Sequence, residues 1–174
     1  MGHTYVTRFD REGYERIHNL MKNKNANKIP YGRNCDRVLA NEILDYHITM
    51  VHWAKAWDDH YLKKLADFQF VPCQVVITGA SVICAEEGSS LLYFDVVPGE
   101  GFSCMKENLE KALQTYCSGF LHMTLAVSKN REEILKIKEQ IEEEITFPFT
   151  LNVEGLDLYH IWHPVKKVCL PPKQ

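Results

Sequence analysis

Two four-residue motifs constrain this chain more than any other feature: His47-Ile48-Thr49-Met50 and His122-Met123-Thr124-Leu125. Both read His-apolar-Thr-apolar, one in each half, and each lies in an apolar run of strand character, residues 46–53 and 120–127. Successive side chains on a strand take opposite faces. His47 therefore shares a face with Thr49, and His122 with Thr124, while Ile48, Met50, Met123 and Leu125 point the other way. Two residues of strand span about 6.5–7 Å, so an imidazole and a hydroxyl from one strand can converge on one phosphate-sized group.

The flanking pattern repeats around the two motifs. A short edge strand over residues 5–9 precedes a helix that Asp10 caps, with Tyr14, Ile17, Leu20 and Met21 at helical spacing. Residues 23–34 have loop chemistry, and 37–44 are expected as a short helix. After the first motif comes a helix over 55–68, then β-branched runs at 73–83 and 91–97 joined by a turn at Glu86-Glu87-Gly88-Ser89. A helix over 103–116 leads to the second motif. Asn130, with Glu133 three residues on, then caps a helix striped by Ile134, Ile137, Ile141 and Ile145. Phe147, Phe149, Leu151 and Val153 alternate as a strand, and residues 156–162 are expected as its hairpin mate around Glu154-Gly155. Helices interleaved with hairpins predict an α+β fold of mainly antiparallel sheet.

A chain of 174 residues is expected to form one domain, residues 1–174, with two lobes. Its net charge of −3 excludes tight non-specific grip on a long duplex, which needs many Lys and Arg contacts. No apolar run approaches the roughly 18 residues of a membrane span. The N-terminus has no signal-peptide core, and six cysteines without close paired spacing suit a reducing compartment. The expected location is cytoplasmic; oligomeric state is not legible.

Two histidines titrating near neutrality can hold opposite roles at one pH. One neutral imidazole takes a proton from the attacking water or hydroxyl and the other, protonated, gives one to the leaving oxygen. Threonine hydroxyls can donate to non-bridging phosphoryl oxygens, where transition-state charge must be held. This scheme needs neither metal nor cofactor. His160 and His163 beside Trp162 have no acid or cysteine at ligand spacing, so no metal site is expected.

Paired motifs in equivalent element order resemble the two-histidine phosphoesterase superfamily, which includes the 2′,5′-RNA-ligase-like proteins and the cyclic phosphodiesterases. Leu156-Asp157-Leu158-Tyr159 is similar to that family's closing strand. The resemblance implies a bilobal α+β domain: two small antiparallel sheets with flanking helices, related by a pseudo-two-fold axis across a central groove. It implies opening of 2′,3′-cyclic phosphates of nucleotides or RNA ends, with His47 and His122 as the acid–base pair and Thr49 and Thr124 holding the phosphate. Which histidine is base depends on substrate polarity. Two other readings fit the same fold: a nucleotide- or RNA-binding module without turnover, and a 2′,5′-ligase or other phosphodiester hydrolase.

The chain departs from the family pattern where an arginine often follows the second motif, because that position holds Val127. Segment 29–41 has no clear counterpart. Within it Arg33, beside Gly32, is the expected replacement phosphate contact, and Tyr159 is a candidate to stack a base.

Overall fold

The computed structural model describes residues 3–24, 46–54, 68–84, 88–115, 120–160 and 163–164. Arg33, segment 29–41, the expected helix over 37–44 and nearly all of that over 55–68 lie outside the described residues. In chain order the elements are β1 (His3–Phe9), α1 (Arg11–Met21), β2 (Thr49–Ala54), β3 (Cys73–Cys84) and β4 (Ser90–Pro98). There follow α2 (Glu100–Leu113), β5 (His122–Ser128), α3 (Arg131–Glu144), β6 (Phe149–His160) and β7 (His163–Pro164).

Helix starts follow from local chemistry. The Asp10 carboxylate accepts from the Gly13 amide at 2.8 Å and opens α1, and Asn130 Oδ1 accepts from Glu133 N at 3.3 Å and opens α3. Helix α2 begins earlier than the spacing predicts, with Gly99 as N-cap, and ends where Gln114 turns left-handed. The apolar stripes face inward: Ile17, Leu20 and Met21; Phe102, Met105, Leu109 and Leu113; Ile134, Ile137 and Ile141.

All strand pairs are antiparallel, in the order β2-β1-β6-β3-β4-β5, with β7 beside β6. The two sheets expected from the sequence are thus two halves of one. They meet where the N-terminal parts of β3 and β6 pair, Val75 opposite Leu151, with Cys73 opposite Val153 and Ile77 opposite Phe149. Beyond that point the long strands diverge, β3 towards β4 and β5, and β6 towards β1 and β2. A pseudo-two-fold through the Val75–Leu151 pair exchanges β3 with β6, β4 with β1 and β5 with β2.

Two expectations are corrected. Strand β1 is not an edge, since it lies between β2 and β6. Glu154-Gly155 is no hairpin turn; β6 runs through it as one strand. Arg8 is opposite Gly155 and Phe9 opposite Val153, so Glu154 is the extra residue of a β-bulge. Thr78 is its counterpart on β3, between the Ile77–Val96 and Gly79–Asp95 pairs.

Candidate active site

The helices and one face of the sheet bury a single core that includes Ile48, Met50, Met123 and Leu125. Alternation then assigns His47, Thr49, His122 and Thr124 to the opposite face, as expected from the sequence. Tyr93 is opposite Thr124 and Asp95 opposite His122. In the other half Val6 is opposite Thr49. One step on, Thr7 N donates to Ile48 O at 3.0 Å, so Arg8 and His47 are the residues that follow this contact on either side. Strand β2 proper starts only at Thr49, because the Ile48 amide turns to the Thr7 side chain, donating to Oγ1 at 2.9 Å.

Each motif carries a bulge at its fourth residue. Tyr5 is opposite Val51 and Val6 opposite Thr49, leaving Met50 unpaired across β1. Leu92 is opposite Ala126 and Tyr93 opposite Thr124, leaving Leu125 unpaired across β4. A bulge bends its strand and re-aims the neighbouring side chains. The two motifs are therefore equivalent in backbone irregularity as well as in sequence.

Their surroundings differ. His47 is 6% exposed, His122 partly exposed. His122 Nδ1 lies 3.0 Å from the Phe120 carbonyl. A carbonyl only accepts, so in this contact Nδ1 is the donor. Phe120 lies along the imidazole, centroids 4.6 Å apart, and Tyr93 meets it edge-on at 5.7 Å. Phe120 is 56% exposed and offers an aromatic surface beside the histidine.

The two-fold-related positions beside the histidines carry opposite charges. Asp95 Oδ2 accepts from Ser81 Oγ at 2.7 Å. Arg8 has Glu154 Oε1 3.8 Å from Nε and Asp157 Oδ1 3.9 Å from Nη1. The strand residue opposite each is glycine, Gly79 for Asp95 and Gly155 for Arg8.

No protein-family profile matches the chain, and no curated protein sequence is significantly similar to it. Solved structures are similar over nearly its whole length. E. coli LigT complexed with 3′-AMP is 14% identical with a TM-score of 0.55, covering 97% of each chain. TT0787 of Thermus thermophilus is 16% identical with a TM-score of 0.53, covering 100% of each. Kluyveromyces marxianus Usb1 with uridine monophosphate is 11% identical with a TM-score of 0.51, covering 98% of this chain and 97% of that one.

The chain has the two-histidine phosphoesterase fold. Within it Thr49 opposite Val6 and Thr124 opposite Tyr93 stand at corresponding places on the two outer strands of the β2-to-β5 order. Tyr159 is on β6 opposite Thr4 and Pro164, with its side chain outside the described residues, as Arg33 is. Sequence reasoning did not single out Arg8, Asp95, Tyr93 or Phe120. The first two left a signal, as charges interrupting otherwise apolar or neutral strands.

Proposed function

We propose that this chain is a metal-independent phosphodiesterase that opens 2′,3′-cyclic phosphates of nucleotides or RNA ends. The observation that carries the reading is the equivalence of the motifs: two His-x-Thr segments, bulged at the same residue, on two-fold-related strands and one sheet face. One neutral imidazole of the His47–His122 pair takes a proton from water as its oxygen attacks phosphorus. The other, protonated, gives its proton to the departing ribose oxygen as the P–O bond breaks. The product is a phosphate monoester, and proton exchange with solvent resets the pair. Thr49 and Thr124 donate to the non-bridging oxygens, whose charge rises in the transition state. The 3′-AMP and uridine monophosphate bound by LigT and Usb1 support a nucleotide as substrate.

The test is hydrolysis of 2′,3′-cyclic nucleotides by wild type, His47→Ala and His122→Ala, with thermal melting to confirm folding. Each variant is expected to lose about 10²–10⁴-fold in kcat. Activity persisting in either variant would remove its histidine from the mechanism. Nucleotide binding without turnover by wild type would leave a binding module.

A further inference from the structure

We propose that Arg8 is the guanidinium that holds the substrate phosphate in this groove, on the reading that the groove takes a nucleotide phosphoester. Arg8 Nε is buried and has no hydrogen-bond partner among the described residues. A buried donor without a partner is costly and uncommon, more so when charged. The neighbouring carboxylates do not resolve it: at 3.8 and 3.9 Å, Glu154 and Asp157 attract the guanidinium without hydrogen-bonding it. An arginine serving only to clamp β1 to β6 would be expected to close on one carboxylate in a bidentate pair. Instead Nε is left without an acceptor, while the side chain as a whole is 24% exposed.

Its placement suits a phosphate. Arg8 is the residue next to Thr7 on β1, as His47 is next to Ile48, where the Thr7–Ile48 hydrogen bond joins the two segments. The backbone is adapted to it, since a Cβ at residue 155 would collide with Nη2 and come within 2.8 Å of Cζ and 2.9 Å of Nε. The missing side chain of Gly155 thus leaves the space that the guanidinium fills. The two-fold-related place holds Asp95, already hydrogen-bonded to Ser81, so the cation is confined to the His47 half. Val127, two residues beyond the second motif, carries no charge. Guanidinium is the side chain best matched to two phosphoryl oxygens at once.

The experiment is calorimetric titration of the full chain with 3′-AMP and with pyrophosphate, for wild type, Arg8→Gln, Arg8→Lys and Arg33→Gln, with turnover of 2′,3′-cyclic AMP measured in parallel. Losing a charge-assisted contact should weaken binding of both probes by about tenfold or more in Arg8→Gln, with partial recovery in Arg8→Lys. Should Arg8→Gln fold poorly, Gly155→Ala, which displaces the guanidinium without deleting it, should show the same loss. Wild-type affinity in Arg8→Gln, a loss confined to Arg33→Gln, or a wild type that binds neither probe would each overturn the proposal. Arg8-dependent binding of 3′-AMP without cleavage of the cyclic nucleotide would uphold Arg8 while defeating the phosphodiesterase reading.

Discussion

Gly155→Ala separates the geometry of the groove from the stability of the sheet. The added methyl meets only the guanidinium of Arg8 among its three nearest atoms, the far end of a flexible side chain, so Arg8 moves and the backbone stays. Glycine in a strand sacrifices unfolded-chain entropy, and replacing it where the backbone is unstrained returns about 0.4–1 kcal/mol. Against this stand the contacts of Arg8 with Glu154 and Asp157, whose side chains are 50% and 14% exposed. Such pairs are worth about 0–1 kcal/mol each. The sum lies between about −1.6 and +1 kcal/mol, and a Tm change of at most about 3–6 °C is expected for a chain of this size. On the phosphate role proposed for Arg8, affinity for 3′-AMP should fall nonetheless, because the guanidinium is displaced from beside residue 155. Gly79→Ala is the internal control. Its methyl meets Asp95 Oδ2 at 3.2 Å, a smaller intrusion on a carboxylate, and it should cost less nucleotide affinity. Differential scanning fluorimetry and calorimetric titration on the pair decide the matter. A Gly155→Ala variant that melts far below wild type, or that binds nucleotide as tightly, refutes the reasoning.

Further outcomes follow from the same contacts. Thr7→Val strands the buried Ile48 amide, since Thr7 is 1% exposed and its Oγ1 is that amide's acceptor. A loss of about 1–3 kcal/mol in urea unfolding is expected, and Thr7→Ser should recover much of it; equal losses would show that the hydroxyl does not matter. Burial pushes the Cys73 thiol up to about 11, while Cys84 and Cys104 are exposed. A thiol reagent at pH 8 should therefore label Cys84 and Cys104 well before Cys73, as read by peptide mass spectrometry. Burial also raises Tyr5 to about 12 from an ordinary 10. The folded chain keeps both protons at pH values where the unfolded chain has begun to lose them, so alkali favours unfolding. Stability should be full below about pH 9 and decline as pH rises towards 11–12, where these groups ionise in the fold. A flat urea midpoint across that window would count against both burials.

Legibility in the sequence followed the range of the physics. Alternation in the motif strands is local, and it assigned Ile48, Met50, Met123 and Leu125 to the core. Caps are equally local, and Asp10 and Asn130 bond where their spacing predicts. Pairing partners are not local. Strand β1 reads as an edge because nothing in residues 5–9 shows that β2 and β6 will flank it, from 40 or more residues away. Glu154-Gly155 reads as a turn for a related reason. A glycine after a charged residue has turn chemistry, whereas the actual demand on residue 155 comes from Arg8 across the ladder. The bulges at Met50 and Leu125 were invisible, since an unpaired residue is defined by its partner strand.

The near-symmetry of the sheet explains why the candidate site divides as it does. Duplicated strands supply duplicated imidazoles and hydroxyls, which suits a reaction needing one proton acceptor and one proton donor on either side of phosphorus. A symmetric groove would accept its substrate in two orientations. The two halves differ in what surrounds the motifs: Arg8, between Glu154 and Asp157, stands in the His47 half, and Asp95, with Tyr93 and Phe120 nearby, in the His122 half. A nucleotide is itself polar in this sense, with phosphate at one end and a flat base at the other. On the proposed function the groove orients it by charge at Arg8 and by ring contact at Phe120. Reversing the charges with Arg8→Asp and Asp95→Arg together should therefore fail to restore nucleotide affinity, because the aromatic surface would remain beside His122. Recovery in that double variant, measured by titration with 3′-AMP, would show that the rings play no part in orientation.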